Sequence, residues 1–224
     1  MPLPQIVSAG RVSLIPHLPE EVVEFTGHLD LLHGQFEAAP SPPSRRLKVQ
    51  VPSQGTMSNW CWAAVAVGIA EAYGDSAHFS MCAIASKVQS VTCCSQPVHP
   101  DCDRQQPLSL ALVLGEGHCE DFFPRAKTQT LVSDPEGCWT FITGQIDRHR
   151  PIAVRMQLGP DERYGHFVVI TGYDRHLLGR QLFVGDPRAG ESQFALSEFI
   201  SRYLEDGRWH STYITKGNHD VPEM

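Results

Sequence analysis

An α+β fold, with a helical lobe packed against an antiparallel sheet lobe, is what this 224-residue sequence predicts. Three observations carry that expectation. The run CWAAVAVGIAEAY from Cys61 to Tyr73 is apolar on nearly every face, as a helix buried on all sides must be. The rest of the first half carries helix signals, and after Pro151 the pattern changes to short β-rich runs, IAVRMQL, HFVVITGY and QLFVGD, separated by loops of glycine and charged residues. A helical layer covering one side of such a sheet leaves a cleft between the two lobes.

In chain order, Val22, Phe25, Leu29 and Leu32 recur at steps of three and four, and Pro19, Glu20 and Glu21 suit a first turn, so a short amphipathic helix is expected over Pro19 to Leu32. AAPSPPSRR, from Ala38 to Arg46, reads as a linker, because its prolines and serines cannot propagate helix or central strand. Residues 1–46 are therefore expected to be an N-terminal extension, 47–216 the folded domain and 217–224 a C-terminal tail. Within the domain, Gly74 is placed to end the buried helix as a left-handed cap, and Ser80 can cap a second helix running to Val88. Further helices are expected at Leu108 to Leu114, Trp139 to His149 and about Ser197 to Tyr203, and WHSTYIT supplies a last strand.

Composition narrows the function. The chain is 42% hydrophobic and 19% charged, ordinary for a folded domain, and its formal charge is −7 with Lys and Arg scattered, which gives no surface for holding phosphates. Nucleic acid is not an expected partner; a protein or peptide substrate is. The longest apolar stretch, around Trp60 to Ala70, is far short of the about 20 residues a membrane span needs. The N-terminus lacks a charged start and an unbroken apolar core, so no secretory signal is expected, which implies the cytoplasm or export by a signal-independent route. Seven cysteines pull the other way, since six beside a nucleophile would suit disulfides in an oxidising compartment.

Four residues carry the candidate chemistry. Cys61, in the first turn of the buried helix with Ser58 or Asn59 as expected cap, sits where unpaired N–H groups and the helix dipole favour an anion. Taken alone it would read as a small core residue. His166 opens an otherwise apolar strand beside Gly165, a place from which an imidazole can reach a thiol on the other lobe. Asp186 ends the next strand, so a hairpin brings its carboxylate beside His166 to fix the ring's tautomer; the plainer reading of Asp186-Pro187 is a turn. Gln54, on the loop entering the helix, is spaced to add a side-chain N–H beside the Cys61 N–H around a developing oxyanion.

Gln54, the run Asn59-Trp60-Cys61-Trp62-Ala63-Ala64, Gly165-His166-Phe167 and Asp186-Pro187 together resemble the motifs of bacterial papain-like cysteine peptidases. The group containing effector peptidases of plant-pathogenic bacteria is the nearer resemblance, and the leader-clipping peptidase domains of bacteriocin exporters the more distant. It covers about Leu47 to Thr215 in motif order and spacing. The resemblance implies a helical left lobe, a β-barrel-like right lobe and peptide hydrolysis through a thioester, with Cys61 as nucleophile, His166 as base, Asp186 as orienter and Gln54 as oxyanion donor, and no cofactor. Gln54 lies one residue farther from the cysteine than in plant and lysosomal papains, and Asp186 stands where those enzymes have Asn.

The remaining cysteines crowd into one region: Cys82, Cys93, Cys94 and Cys102 precede Cys119 and Cys138. Absence of any CxxC pair argues against zinc, and at least one disulfide is expected among the first four, with Cys61 free. An endopeptidase is the leading reading. A same-fold acyltransferase, deamidase or crosslinking enzyme is the alternative, because a thioester accepts other nucleophiles; a silent binding module would need no such set.

Overall fold

The computed structural model describes residues 42–75, 80–95, 99–104, 118–161, 163–175 and 179–224. The chain divides into two units, residues 1–39 and 40–224, and every described residue belongs to the second. The helices expected at Pro19 to Leu32 and Leu108 to Leu114 lie outside the described residues.

Helix α1 (Cys61–Ala72) is buried from Cys61 through Ala70 and packs against the sheet. Each fully covered side chain of the Ile69 kind contributes roughly 1.5–3 kcal/mol. Gly74, at φ +81°, ends the helix as expected: its N–H reaches Glu71 O and the Asp75 N–H reaches Ala70 O, satisfying two terminal carbonyls. Helix α2 (Met81–Gln89) is capped by Ser80, whose side chain accepts from the Ala83 N–H.

The cysteine-rich segment that follows is pinned by two disulfides, Cys82–Cys94 and Cys93–Cys102, while Cys61, Cys119 and Cys138 are free. The expected disulfide is thus present, and a second with it. Burial pushes the Cys138 thiol up to about 12, which keeps it protonated.

Helices α3 (Arg125–Val132) and α4 (Pro135–Asp147) come next. The start of α4 lies four residues before the expected Trp139: Asp134 accepts from the Glu136 N–H and Pro135 takes the first helical position, a capping pair that outweighs the later apolar pattern. Helix α3 was not expected, nor were strands β2 (Cys119–Phe123) and β6 (Gly190–Ala195). Both strands are partly exposed and lack regular apolar alternation, so nothing in their residues marks them.

The sheet is antiparallel, in the order β2-β7-β3-β4-β5-β6, with β3 (Ile152–Gln157), β4 (Gly165–Asp174), β5 (Gln181–Asp186) and β7 (Arg208–Thr215) where the apolar runs predict strands. Among the described residues no pairing joins β2 to β6, so the sheet lobe is open. Helix α5 (Leu196–Ser201) packs on β6 and β7, one residue ahead of its expected start. The whole is the mixed helix-and-sheet architecture of a papain-like fold.

Both ends of the expected domain are tied to this sheet. Strand β1 (Ser44–Arg46) pairs with β4 beyond the end of β3, so the segment read as linker is already strand before Leu47. The approach is close: a Cβ on Gly172 would lie 2.4 Å from Arg45 O, so only glycine fits. In the segment read as a tail, Val221 is fully buried and Glu223 bridges to Leu47.

Candidate active site

Cys61 is the first residue of α1, and no side chain caps that helix. The expected cap by Ser58 or Asn59 is not made, because both residues lie ahead of the cap position, which Trp60 holds with no side-chain bond. Their backbone N–H groups donate to the Asp103 carboxylate at 3.2 and 2.8 Å, the Asn59 amide donates to Asp103 O, and the Trp60 indole N–H donates to Cys102 O at 2.7 Å. The disulfide-bound segment therefore grips the three residues before the cysteine. With the cap position vacant, the first N–H groups of α1 keep their positive end toward whatever the cysteine attacks.

His166 is the second residue of β4, opposite Met156 on β3, and is 2% exposed. The antiparallel pairing of β4 with β5 brings Asp186 beside it, and His166 Nε2 lies 2.7 Å from Asp186 Oδ1. Cys61 acts on His166 together with Asp186, and both favour the charged ring. Since Nε2 is held by the carboxylate, Nδ1 is the nitrogen left for the thiol. Cys61 and His166 line one cavity of about 350 Å³, with Asn59 on the helical wall and Leu158 and Tyr164 on the sheet wall.

Asp186 both makes a turn and bonds His166. Oδ1 accepts the N–H groups of Arg188 (2.6 Å) and Ala189 (3.2 Å), which makes the turn, and the same oxygen takes His166. Oδ2 accepts from the Tyr203 hydroxyl. Burial works against charge on the pair: it opposes ionisation of Asp186, yet the bonds from His166, Tyr203 and Arg188 hold that carboxyl down at about 2. Burial likewise opposes a charged His166, but the bonds and charges of Asp186 and Cys61 raise it from 6.5 to about 9. The site is thus built to keep an imidazolium next to a carboxylate. Burial and the neighbouring carboxylate push the Tyr203 phenol up, so it stays a hydrogen donor.

Gln54 stands apart from this set. Its Nε2 donates to Met57 O at 2.8 Å and Ser58 O at 3.0 Å, which occupies both amide hydrogens in closing the turn before α1. It does not line the cavity that holds Cys61 and His166. Its backbone N–H bonds Pro187 O, tying the nucleophile loop to the Asp186 turn. Among the other histidines, His149 bonds Val221 O and His210 bonds Ser211, neither lines the cavity that holds Cys61, and His176 lies outside the described residues.

Three further residues at the site were not expected from the sequence. Tyr203 follows a short helix, and only the fold aims its hydroxyl at Asp186. Asp103 sits among polar loop residues. Arg155 interrupts the apolar β3, a visible oddity: it is 3% exposed, and its guanidinium lies against Gly165, where a Cβ would come 2.6 Å from Nε. Burial lowers its pKa, while Tyr213 and Cys61 act on it in the opposite sense.

Comparison with known proteins agrees at the level of family. Residues 120–211 match the model of the Peptidase_C39 like family, which supports a relationship to papain-like cysteine peptidases. That stretch includes His166 and Asp186 and leaves Cys61 outside, so it is the fold that brings the thiol to them. No curated protein matches the chain. Among the described residues no helix is long and apolar enough to cross a membrane.

Proposed function

We propose that the protein is a cysteine endopeptidase that cleaves peptide bonds through Cys61, His166 and Asp186. One observation carries the reading: a buried imidazole bonded on one nitrogen to a carboxylate shares one cavity with the thiol of an uncapped helix terminus.

The chemistry follows from those contacts. The Cys61 sulfur, its proton on His166, attacks the carbonyl carbon of the peptide. The oxygen that gains charge is met by the N–H groups of the first turn of α1. His166 then gives its proton to the departing amine, leaving a thioester. Water, deprotonated by the now neutral His166, attacks that thioester, releasing the acid and restoring the thiol. Asp186 holds the ring in the tautomer that presents Nδ1 to sulfur and steadies the imidazolium. Gln54 contributes to the oxyanion by shaping the turn that carries the N–H groups, because its own amide hydrogens are spent on that turn.

Incubation with a randomised peptide library, followed by identification of new N-termini by mass spectrometry, tests the proposal. New termini should form with the native protein and vanish after alkylation or in Cys61→Ala. Substrates gaining mass on a glutamine or lysine, with no new terminus, would assign the same thioester to deamidation or acyl transfer instead. Cleavage persisting in folded Cys61→Ala would overturn the nucleophile.

A further inference from the structure

Resting on the peptidase reading, we infer that the cleft selects peptides carrying opposite charges on the two sides of the scissile bond, a basic side chain toward Asp206 and an acidic one toward Arg188. The sheet order places both charges. At the end of the sheet that carries His166, strands lie in the order β7, β3, β4, β5. Asp206 lies two residues before the start of β7, Leu158 and Gly159 follow β3, His166 stands at the start of β4, and Arg188 lies two residues after β5. All line the cavity around Cys61. Asp206 and Arg188 are thus on opposite flanks of the catalytic histidine.

Spacing converts this order into substrate positions. Neighbouring strands are roughly 4.8 Å apart and an extended chain advances roughly 3.3 Å per residue. Asp206, two strands from His166, therefore meets a side chain about two to three residues from the scissile bond. Arg188, one strand away, meets one about one to two residues on the other side.

Both groups are available and held. Each is exposed, and neither has an ion pair among the described residues. A Cβ on Gly159 would lie 3.8 Å from Asp206 Oδ2, so that carboxylate overhangs bare backbone on the cleft wall. Asp206 belongs to a turn closed by reciprocal backbone bonds between Tyr203 and Gly207, with Leu204 and Glu205 at φ 47° and 84°. Tyr203 anchors the turn on Asp186 Oδ2, while the Arg188 N–H is anchored on Oδ1. One carboxylate therefore fixes the catalytic histidine and the backbone positions of both charges. Beyond Asp206 the cleft opens into a hollow of about 660 Å³ where Arg125, Arg202 and Arg208 mingle with Glu205, and Arg202 pairs with Glu198; signs are mixed there and assign no further charge.

The test compares native protein, Asp206→Lys and Arg188→Glu on one randomised peptide library at low ionic strength, scoring residue enrichment around each new terminus. Native protein should enrich Lys and Arg on one side and Asp and Glu on the other, each by about two- to fivefold, falling as salt is added. Asp206→Lys should invert only the basic preference, and Arg188→Glu only the acidic one. Alkylation-sensitive cleavage with enrichment unchanged in either variant, or with both variants altering the same side, overturns this inference and leaves the peptidase reading standing. Absence of any alkylation-sensitive cleavage by native protein overturns the peptidase reading, and this inference with it.

Discussion

Replacing Asp186 by Asn separates the two things its carboxylate does for His166, holding the ring and carrying a charge. The Asn side-chain oxygen takes the place of Oδ1 and still accepts from His166 Nε2 and the Arg188 and Ala189 N–H groups; the amide nitrogen then faces the Tyr203 hydroxyl, which can turn to accept. Shape is kept and charge is lost. In the native protein burial opposes a charged His166, and the bonds and charges of Asp186 and Cys61 overcome it, raising the group from 6.5 to about 9. Through linkage that displacement is worth about 3 kcal/mol of folding stability, part of it due to Cys61. A raised histidine contributes in full below its unfolded value and loses its contribution as pH rises through the folded one, so the window is about pH 6.5 to 9. Asp186, held down from 3.8 to about 2, shows the same contact from the other side: its share is present above 3.8 and is lost as pH falls through about 2. The two are one interaction and are not added. Urea unfolding at about pH 6 and about pH 10 should therefore show a native protein losing about 3 kcal/mol from this group, and Asp186→Asn losing clearly less. The alkaline limb of turnover, which reports loss of the His166 proton, should move down from about 9 toward 6.5 in the variant. At about pH 6 Asn should cost no more than about tenfold in turnover, whereas Asp186→Ala, which removes the acceptor, should cost about a hundredfold or more. An alkaline limb still near 9 in Asp186→Asn, with an unchanged slope of stability against pH, would show that the carboxylate charge is not what holds the imidazolium.

Tyr203→Phe removes the donor to Asp186 Oδ2; it should cost about 1.5–3 kcal/mol in urea unfolding and raise the Asp186 carboxyl, moving the acid limb of turnover upward, and an unmoved acid limb with full stability would reduce Tyr203 to packing. Cys93→Ser with Cys102→Ser opens one of the two disulfides without a reductant reaching Cys61; thermal unfolding should report a loss of about 3 kcal/mol. Turnover should fall with it, since Cys102 O and Asp103 hold residues 58–60, and native-like turnover would show that this grip does not position the nucleophile. Gly165→Ala would set a Cβ 2.6–2.8 Å from the buried Arg155 guanidinium, so a loss of about 1–3 kcal/mol is expected, and a neutral result would mean that this guanidinium is free to move aside.

Much of the architecture was legible in the residues because it rests on patterns shorter than an element. The apolar run from Cys61 to Tyr73 with Gly74 behind it, Ser80 ahead of α2, and the apolar strands after Pro151 each declare themselves by composition and period, and each formed where expected. The order of Cys61, His166 and Asp186 on helix, strand and strand was equally visible, since two antiparallel neighbours bring a strand's start beside the end of the next. What the sequence left open depends on groups far apart in the chain. Asp103 holds the backbone N–H groups of Ser58 and Asn59, the residues just ahead of the cap position, across 45 and 44 positions. Tyr203 reached Asp186, and Cys61 came to share a cavity with His166, only once helix and sheet had packed, because such contacts are set by separation in space and leave no periodicity behind. Gln54 shows the same limit in reverse: its spacing pointed to the oxyanion, but its amide hydrogens went to the nearest carbonyls, Met57 and Ser58, because a buried donor goes unpaired only at a cost of about 1–3 kcal/mol.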